Sequence, residues 1–223
     1  MDYLIFMPRT DFGVEPLINC SNDLGGKDVA SERKRGDQLE IAILEAADEI
    51  IQTLGYEKMT FQNVAKQANT SRTVIYRRYE TPVDLLHGLV QYKSKQILGG
   101  KMMDLFEEKE SLRADLIAVM EIFQRIVEAI GPKVLSALLF ELRQRNESLQ
   151  LWLNEAQESN MKLMKRIQDS AINRGEIKHE FSKIQMILPF NLLRLENVLS
   201  GGNVTRAYIV QLVDEVLMPV YLS

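Results

Sequence analysis

The chain has 223 residues, 46% hydrophobic and 26% charged, a balance that excludes a disordered or fibrous protein. One cysteine, Cys20, excludes an intrachain disulfide framework and fits a reducing, cytoplasmic compartment. The net charge of −4 argues against a nucleic-acid partner only as an average, because the charge is unevenly spread.

Residues 1–59 hold six Lys/Arg against 12 Asp/Glu, and residues 80–223 hold 17 against 19. Between them, Thr60 to Tyr79 carry Lys66, Arg72, Arg77 and Arg78 with no carboxylate. Fields from exposed charges fade within about 8 Å at physiological salt, so a short basic face on an acidic body still attracts phosphates locally.

The apolar run from Tyr3 to Met7 is too short to span a membrane and follows Asp2 where a secretory leader carries basic residues, so neither a span nor a signal peptide is expected. Residues 1–32 mix Pro8, Gly13, Pro16, Gly25 and Gly26 with isolated apolar residues and read as a poorly ordered leader. From Gly36, Leu39, Ile43, Ala46, Ala47, Ile50, Ile51 and Leu54 recur at helical spacing up to Gly55, predicting an amphipathic helix of about five turns. Thr60 then stands as an N-cap before Phe61 to Ala65, a short helix ending by Asn69. Ser71 is the next cap, opening a helix over Arg72 to Tyr79. Pro82 begins another, interrupted at Gly99 and Gly100.

Beyond Gly100 the periodicity predicts Leu112–Ile130 after the cap Ser111, then 133–145 and 149–173. Two very apolar helices close the chain, 182–199 with Pro189 inside, and one opened by Thr205. Strand patterns are absent outside the first few residues. The fold class expected is therefore all-α with about nine helices: a leader (1–32), a three-helix DNA-binding domain (33–80) and a larger helical bundle (81–223).

Two short helices joined by Asn69, Thr70 and Ser71, the second basic, have the spacing of a helix-turn-helix. In such a unit the second helix enters the major groove, its first residues reach base edges, and flanking hydroxyls and cations hold phosphates. Arg72 is the first choice for base readout, because its planar fork gives a bidentate contact to guanine. Thr73 and Val74 stand where they meet base edges or a thymine methyl, with core packing as the alternative for Val74. Thr60 and Gln62 are phosphate or backbone candidates, Ser71 is counted with the DNA-binding residues, and Arg77 and Arg78 are phosphate contacts.

The segment Ile41 to Leu89 resembles the TetR family of transcriptional regulators. The likeness rests on Ile43, Leu44, Ala46, Ala47 and Leu54-Gly55; on Met59-Thr60, Val64-Ala65 and Ala68; on Ser71, Ile75-Tyr76 and Tyr79; and on Asp84-Leu85-Leu86. Three positions depart from the pattern. Asn69-Thr70 replaces a usual Gly-Val turn, Thr73 a frequent Gly, and Pro82 a phosphate-contacting Lys. The resemblance implies a homodimer that binds a palindromic double-stranded DNA operator with its N-terminal helices and a small hydrophobic inducer with its C-terminal ones. It also implies a phosphate-binding role for Tyr76, and repression as the commoner direction of control.

For the inducer, Met120, Phe123, Phe140 and Trp152 are candidate lining residues, since Met and aromatic side chains tolerate varied apolar shapes. For the dimer, Leu188, Leu192, Leu195, Ile209, Val213 and Val216 lie on final helices apolar on more than one face, which must be covered somewhere, by a second copy or, as the alternative, within the monomer. Catalysis has little support. The histidines His87 and His179 and the lone Cys20 form no nucleophile, zinc or phosphate-loop pattern, so no catalytic residue, metal or cofactor is expected. A helical protein-interaction module that keeps the fold without operator binding stands as the alternative, and an enzyme acting in the helical pocket as a distant third.

Overall fold

The computed structural model describes residues 26–99, 102–144 and 147–223. Among these residues there is no strand. The helices are α1 (Gly26–Leu54), α2 (Phe61–Gln67), α3 (Arg72–Tyr76), α4 (Pro82–Leu98), α5 (Met102–Leu105), α6 (Leu112–Ile130), α7 (Pro132–Arg143), α8 (Glu147–Asn173), α9 (Lys183–Leu199), α10 (Arg206–Leu212) and α11 (Met218–Leu222). With the one-turn α5 set aside and the last two joined through Val213–Leu217, nine rods remain, as the periodicity anticipates.

Helix α1 starts at Gly26, ten residues before the point at which an apolar period can be read. The expected leader lies, over residues 1–25, outside the described residues. Residues Gln38–Ser223 pack as one unit. In it, the apolar stripe of α1 (Ile43, Leu44, Ala47, Ile50 and Ile51) is buried. Helix α3 ends at Tyr76, shorter than the expected 72–79, because Arg77 and Arg78 close it in a turn.

Most helix starts follow from a single hydroxyl. Ser111 caps α6, Ser182 caps α9 and Thr205 caps α10, each accepting from the backbone N–H three residues on. Thr81, not anticipated from the sequence, forms a reciprocal capping box with Asp84 ahead of Pro82. Between α10 and α11 the backbone widens into a π-turn over Val213–Leu217. Pro219 explains it: the ring lacks an N–H and clashes with the carbonyl four residues back, so the turn before it must loosen.

Helix α6 occupies the centre, with Leu116, Val119, Met120 and Val127 buried. Its N-terminus is held by charge. Glu176 accepts from the Leu112 N–H at 2.8 Å, and Arg174 bonds Glu176 at 2.5 Å and the fully buried Asp115 at 2.8 Å. Asp115 also accepts from the Lys109 N–H, which ties the segment before α6 to the end of α8.

Candidate nucleic-acid interface

The helix-turn-helix is built almost entirely from local bonds. Thr60 accepts from the Asn63 N–H at 3.3 Å and starts α2, and Ser71 accepts from the Val74 N–H at 3.4 Å and starts α3. Between them, Thr70 N–H bonds the Ala65 carbonyl and Asn69 N–H the Lys66 carbonyl, the pair that defines a Schellman ending. That ending needs a left-handed residue, and Asn69 supplies it with φ of 49°. Asn is the side chain that best tolerates this conformation after Gly, which is why the turn closes without the usual glycine.

Packing sets the face that remains free. Phe61, Val64, Ala65, Ile75 and Tyr79 are buried, so the opposite sides of α2 and α3 are left to solvent. There Thr60, Gln62, Ser71, Arg72, Thr73, Tyr76, Arg77 and Arg78 are all exposed, and Lys66 with them. Val74 is half-buried and packs against the core, which favours its packing role over a base contact. Tyr76 is 58% exposed, its ring edge-on to Phe61 at 4.8 Å; it is an outer-face aromatic rather than a core one. Arg78 folds back to donate to the Val74 carbonyl. Arg72 and Arg77 have no ion pair among the described residues, so their charge is uncompensated.

A second group of side chains holds this surface in place. Tyr79 lies beneath α3 and donates to Glu40 at 3.3 Å. Burial, with the Glu40 charge beside it, pushes the Tyr79 hydroxyl pKa up, so it stays protonated. Gly88 on α4 faces the Tyr79 ring so closely that a Cβ there would lie 2.8 Å from a ring carbon. This glycine is a close-approach residue, and the helical spacing alone does not reveal it. Lys93 bonds Asp48 of α1 at 2.6 Å and the Ile130 carbonyl at the end of α6 at 3.3 Å. Tyr56 donates to Glu141 of α7 at 2.7 Å, and Lys133 of α7 donates to the Gln52 carbonyl. These contacts join α1 and the turn that follows it to α4, α6 and α7.

The expected inducer residues differ in their settings. Met120 and Phe123 are core residues of α6, Phe123 meeting Phe190 edge-on at 5.0 Å. Phe140 is 49% exposed and faces Tyr56, while Trp152 lies against His87 at 4.9 Å. His87 is half-buried and hydrogen-bonded to Gln91; desolvation lowers its pKa against the raising effect of Asp84. Of the expected dimer residues, Ile209 and Val213 are buried within the chain, a correction: they fill its own core. Leu188 and Leu192 are half-buried, and Leu195 and Val216 are exposed.

A helix-turn-helix with a carboxylate-free cationic face, carried on an all-α bundle, defines a DNA-binding regulator. Two family models match the chain. "Bacterial regulatory proteins, tetR family" matches residues 43–89, and "Tetracyclin repressor-like, C-terminal domain" matches residues 106–216. The chain therefore belongs to the TetR family of transcriptional regulators.

It is 25% identical to the DNA-binding transcriptional repressor TetR of Mycobacteroides abscessus over 185 residues, covering 82% of this chain and 94% of that one. It is 26% identical to the fatty acid metabolism regulator protein of Bacillus subtilis over 136 residues, 61% of this chain and 69% of that one. The crystal structure of FadR from Bacillus subtilis in complex with stearoyl-CoA has the same fold, with a TM-score of 0.60 and 22% identity. The match covers 81% of this chain and 97% of that one. Among the described residues, no helix is long and apolar enough to cross a membrane, and no group of three or more His, Cys, Asp or Glu is placed to hold a metal ion.

Proposed function

We propose that the chain is a repressor that binds a palindromic operator as a homodimer and releases it when a small effector with an apolar body binds the C-terminal helices. The observation that carries this reading is the exposed, acid-free face of α2 and α3, with Arg72 and Arg77 uncompensated. In the proposed complex Arg72 reads a guanine, and Thr73 reaches a neighbouring base edge. Thr60, Gln62, Ser71, Tyr76, Arg77 and Arg78 hold the phosphates.

The dimer would form on α9. Ile184 and Leu199, exposed by 74% and 73%, share one side with Leu188, Leu192 and Leu195, and Val216 and Leu222 of the last rod are also exposed. An apolar stripe of this kind calls for a cover, and a second copy supplies the same stripe by twofold symmetry. Leu195→Glu is expected to convert the dimer to a monomer in sedimentation.

Control would pass through α4. Effector binding among the central helices would shift α4 and alter the Lys93 contacts to Asp48 and Ile130, and so the spacing of the two reading heads. Such coupling is typically worth about 1–3 kcal/mol. Since a relative's structure contains stearoyl-CoA, a long-chain acyl thioester is the first effector to try.

The test is fluorescence anisotropy of the purified protein with duplexes from its own upstream region, against scrambled competitor, at several salt concentrations. Preference for one segment, with affinity falling steeply in salt, is the expected outcome. Weak binding without preference would contradict it.

A further inference from the structure

Helix α9 carries one cation whose setting differs from that of the others among the described residues. Arg194 is half-buried. Its guanidinium carbon lies 5.2 Å from the centroid of the Phe123 ring on α6, and among the described residues its hydrogen bond is to the side-chain oxygen of the exposed Asn191 at 2.8 Å. No carboxylate pairs with it among the described residues. A charge withdrawn from water is costly unless it meets an opposite one, and an amide oxygen with a ring face replaces only part of its hydration. Desolvation lowers the Arg194 pKa to about 10, in line with the missing counter-charge.

Its surroundings are mixed in a way ordinary core is not. Phe123 meets Phe190 edge-on. One turn further along α9, Asn197 and Gln124 of α6 exchange amide hydrogen bonds at 2.8 and 3.1 Å, both residues buried. A few convergent polar groups in an apolar seam are what orient a small ligand. The guanidinium is turned onto α6, whereas Ile184, Leu188, Leu195 and Leu199 mark the outer side of α9.

We infer that Arg194 is the anchor for an anionic group, a carboxylate or a phosphate, of the small molecule that regulates this protein, and that Phe123 and Asn191 hold the guanidinium ready for it. The inference rests on the effector-responsive reading above and deepens it by fixing the sign of the ligand's charge and the residue that meets it.

The test uses the full chain with three probes: stearate for a carboxylate, stearoyl-CoA for phosphates, and octadecanol for the uncharged body. Calorimetry on wild type, Arg194→Gln and Arg194→Lys is expected to show at least tenfold weaker binding of the preferred anion to Arg194→Gln, with a smaller loss for Arg194→Lys. Octadecanol is expected to bind wild type and Arg194→Gln alike, and more weakly than the preferred anion binds wild type. Which anion binds wild type more tightly identifies the head group. Without ligand, Arg194→Gln is expected to melt no lower than wild type and to keep the dimer mass and operator affinity, because it removes an uncompensated charge. Equal anion binding by wild type and Arg194→Gln would overturn the inference. So would loss of the dimer in Arg194→Gln, which would assign the counter-charge to a second copy. So too would failure of wild type to bind either anion; if that protein still selected an operator, the regulator reading would stand without this one. Anion binding lost in Arg194→Gln, in a protein with no operator preference, would keep the anchor and remove the regulator.

Discussion

The reading helices and the seam between α6 and α9 treat polar groups in opposite ways. On α2 and α3 the cations face water with no ion pair among the described residues, and the bonds that shape the turn span five residues or fewer. In the seam Gln124 and Asn197 are buried and meet across 73 positions of sequence. Exposed cations cost little while free and are available to a polyanion. Buried polar groups must be satisfied at once, by the chain itself or by something it binds. The first arrangement suits a large, repetitive partner recognised by its surface charge, and the second a small one selected by fit.

The largest expected effect is in the bundle. Arg174→Met leaves the fully buried Asp115 carboxylate without its ion pair, and denaturant titration should show a loss of about 3 kcal/mol or more. Asn197→Leu leaves the Gln124 amide only its bond to Glu128 and should cost about 1–3 kcal/mol. The double replacement Gln124→Leu with Asn197→Leu should recover most of that loss, and failure to recover would mean the pair does more than satisfy itself.

On the reading helices, Arg72→Ala should leave stability within about 0.5 kcal/mol. It should remove about 1–3 kcal/mol of base discrimination, measured by competition between operator and single-base variants. Arg77→Ala should weaken all duplexes alike and lower the salt slope by about one, which separates phosphate contact from readout. Thr60→Ala, which removes one cap, should cost about 1 kcal/mol in thermal unfolding.

Much of this contrast is legible in the sequence, for a physical reason. Caps and turns are local, so Thr60, Ser71, Ser111 and Thr205 announce their helices, and Asn69 marks a turn that closes without glycine. Charge segregation over Thr60–Tyr79 is local too. The first turns of α1 are not legible, because 26–35 are too polar to carry an apolar period and helix formation there leaves no stripe to read. Gly88 looks like an ordinary helix interruption until the Tyr79 ring is placed over it. Ile209 and Val213 are as apolar as the exposed Val216, and only the packing of the last rod turns them inward. Arg194 belongs to this group as well: a lone arginine on an apolar helix is unremarkable until its missing partner is seen. Long-range pairings such as Tyr56 with Glu141 leave no trace in spacing at all.

The central claim, that two copies present α3 to a symmetric operator, is tested most directly by selection of bound sequences from a random duplex library, run in parallel with wild type and Arg72→Ala. The account predicts enrichment of an inverted repeat by wild type, with half-sites a helical turn or a multiple of one apart. It also predicts relaxed preference at one symmetric pair of positions for Arg72→Ala. Enrichment of no motif, or of an asymmetric one unchanged by Arg72→Ala, would contradict it.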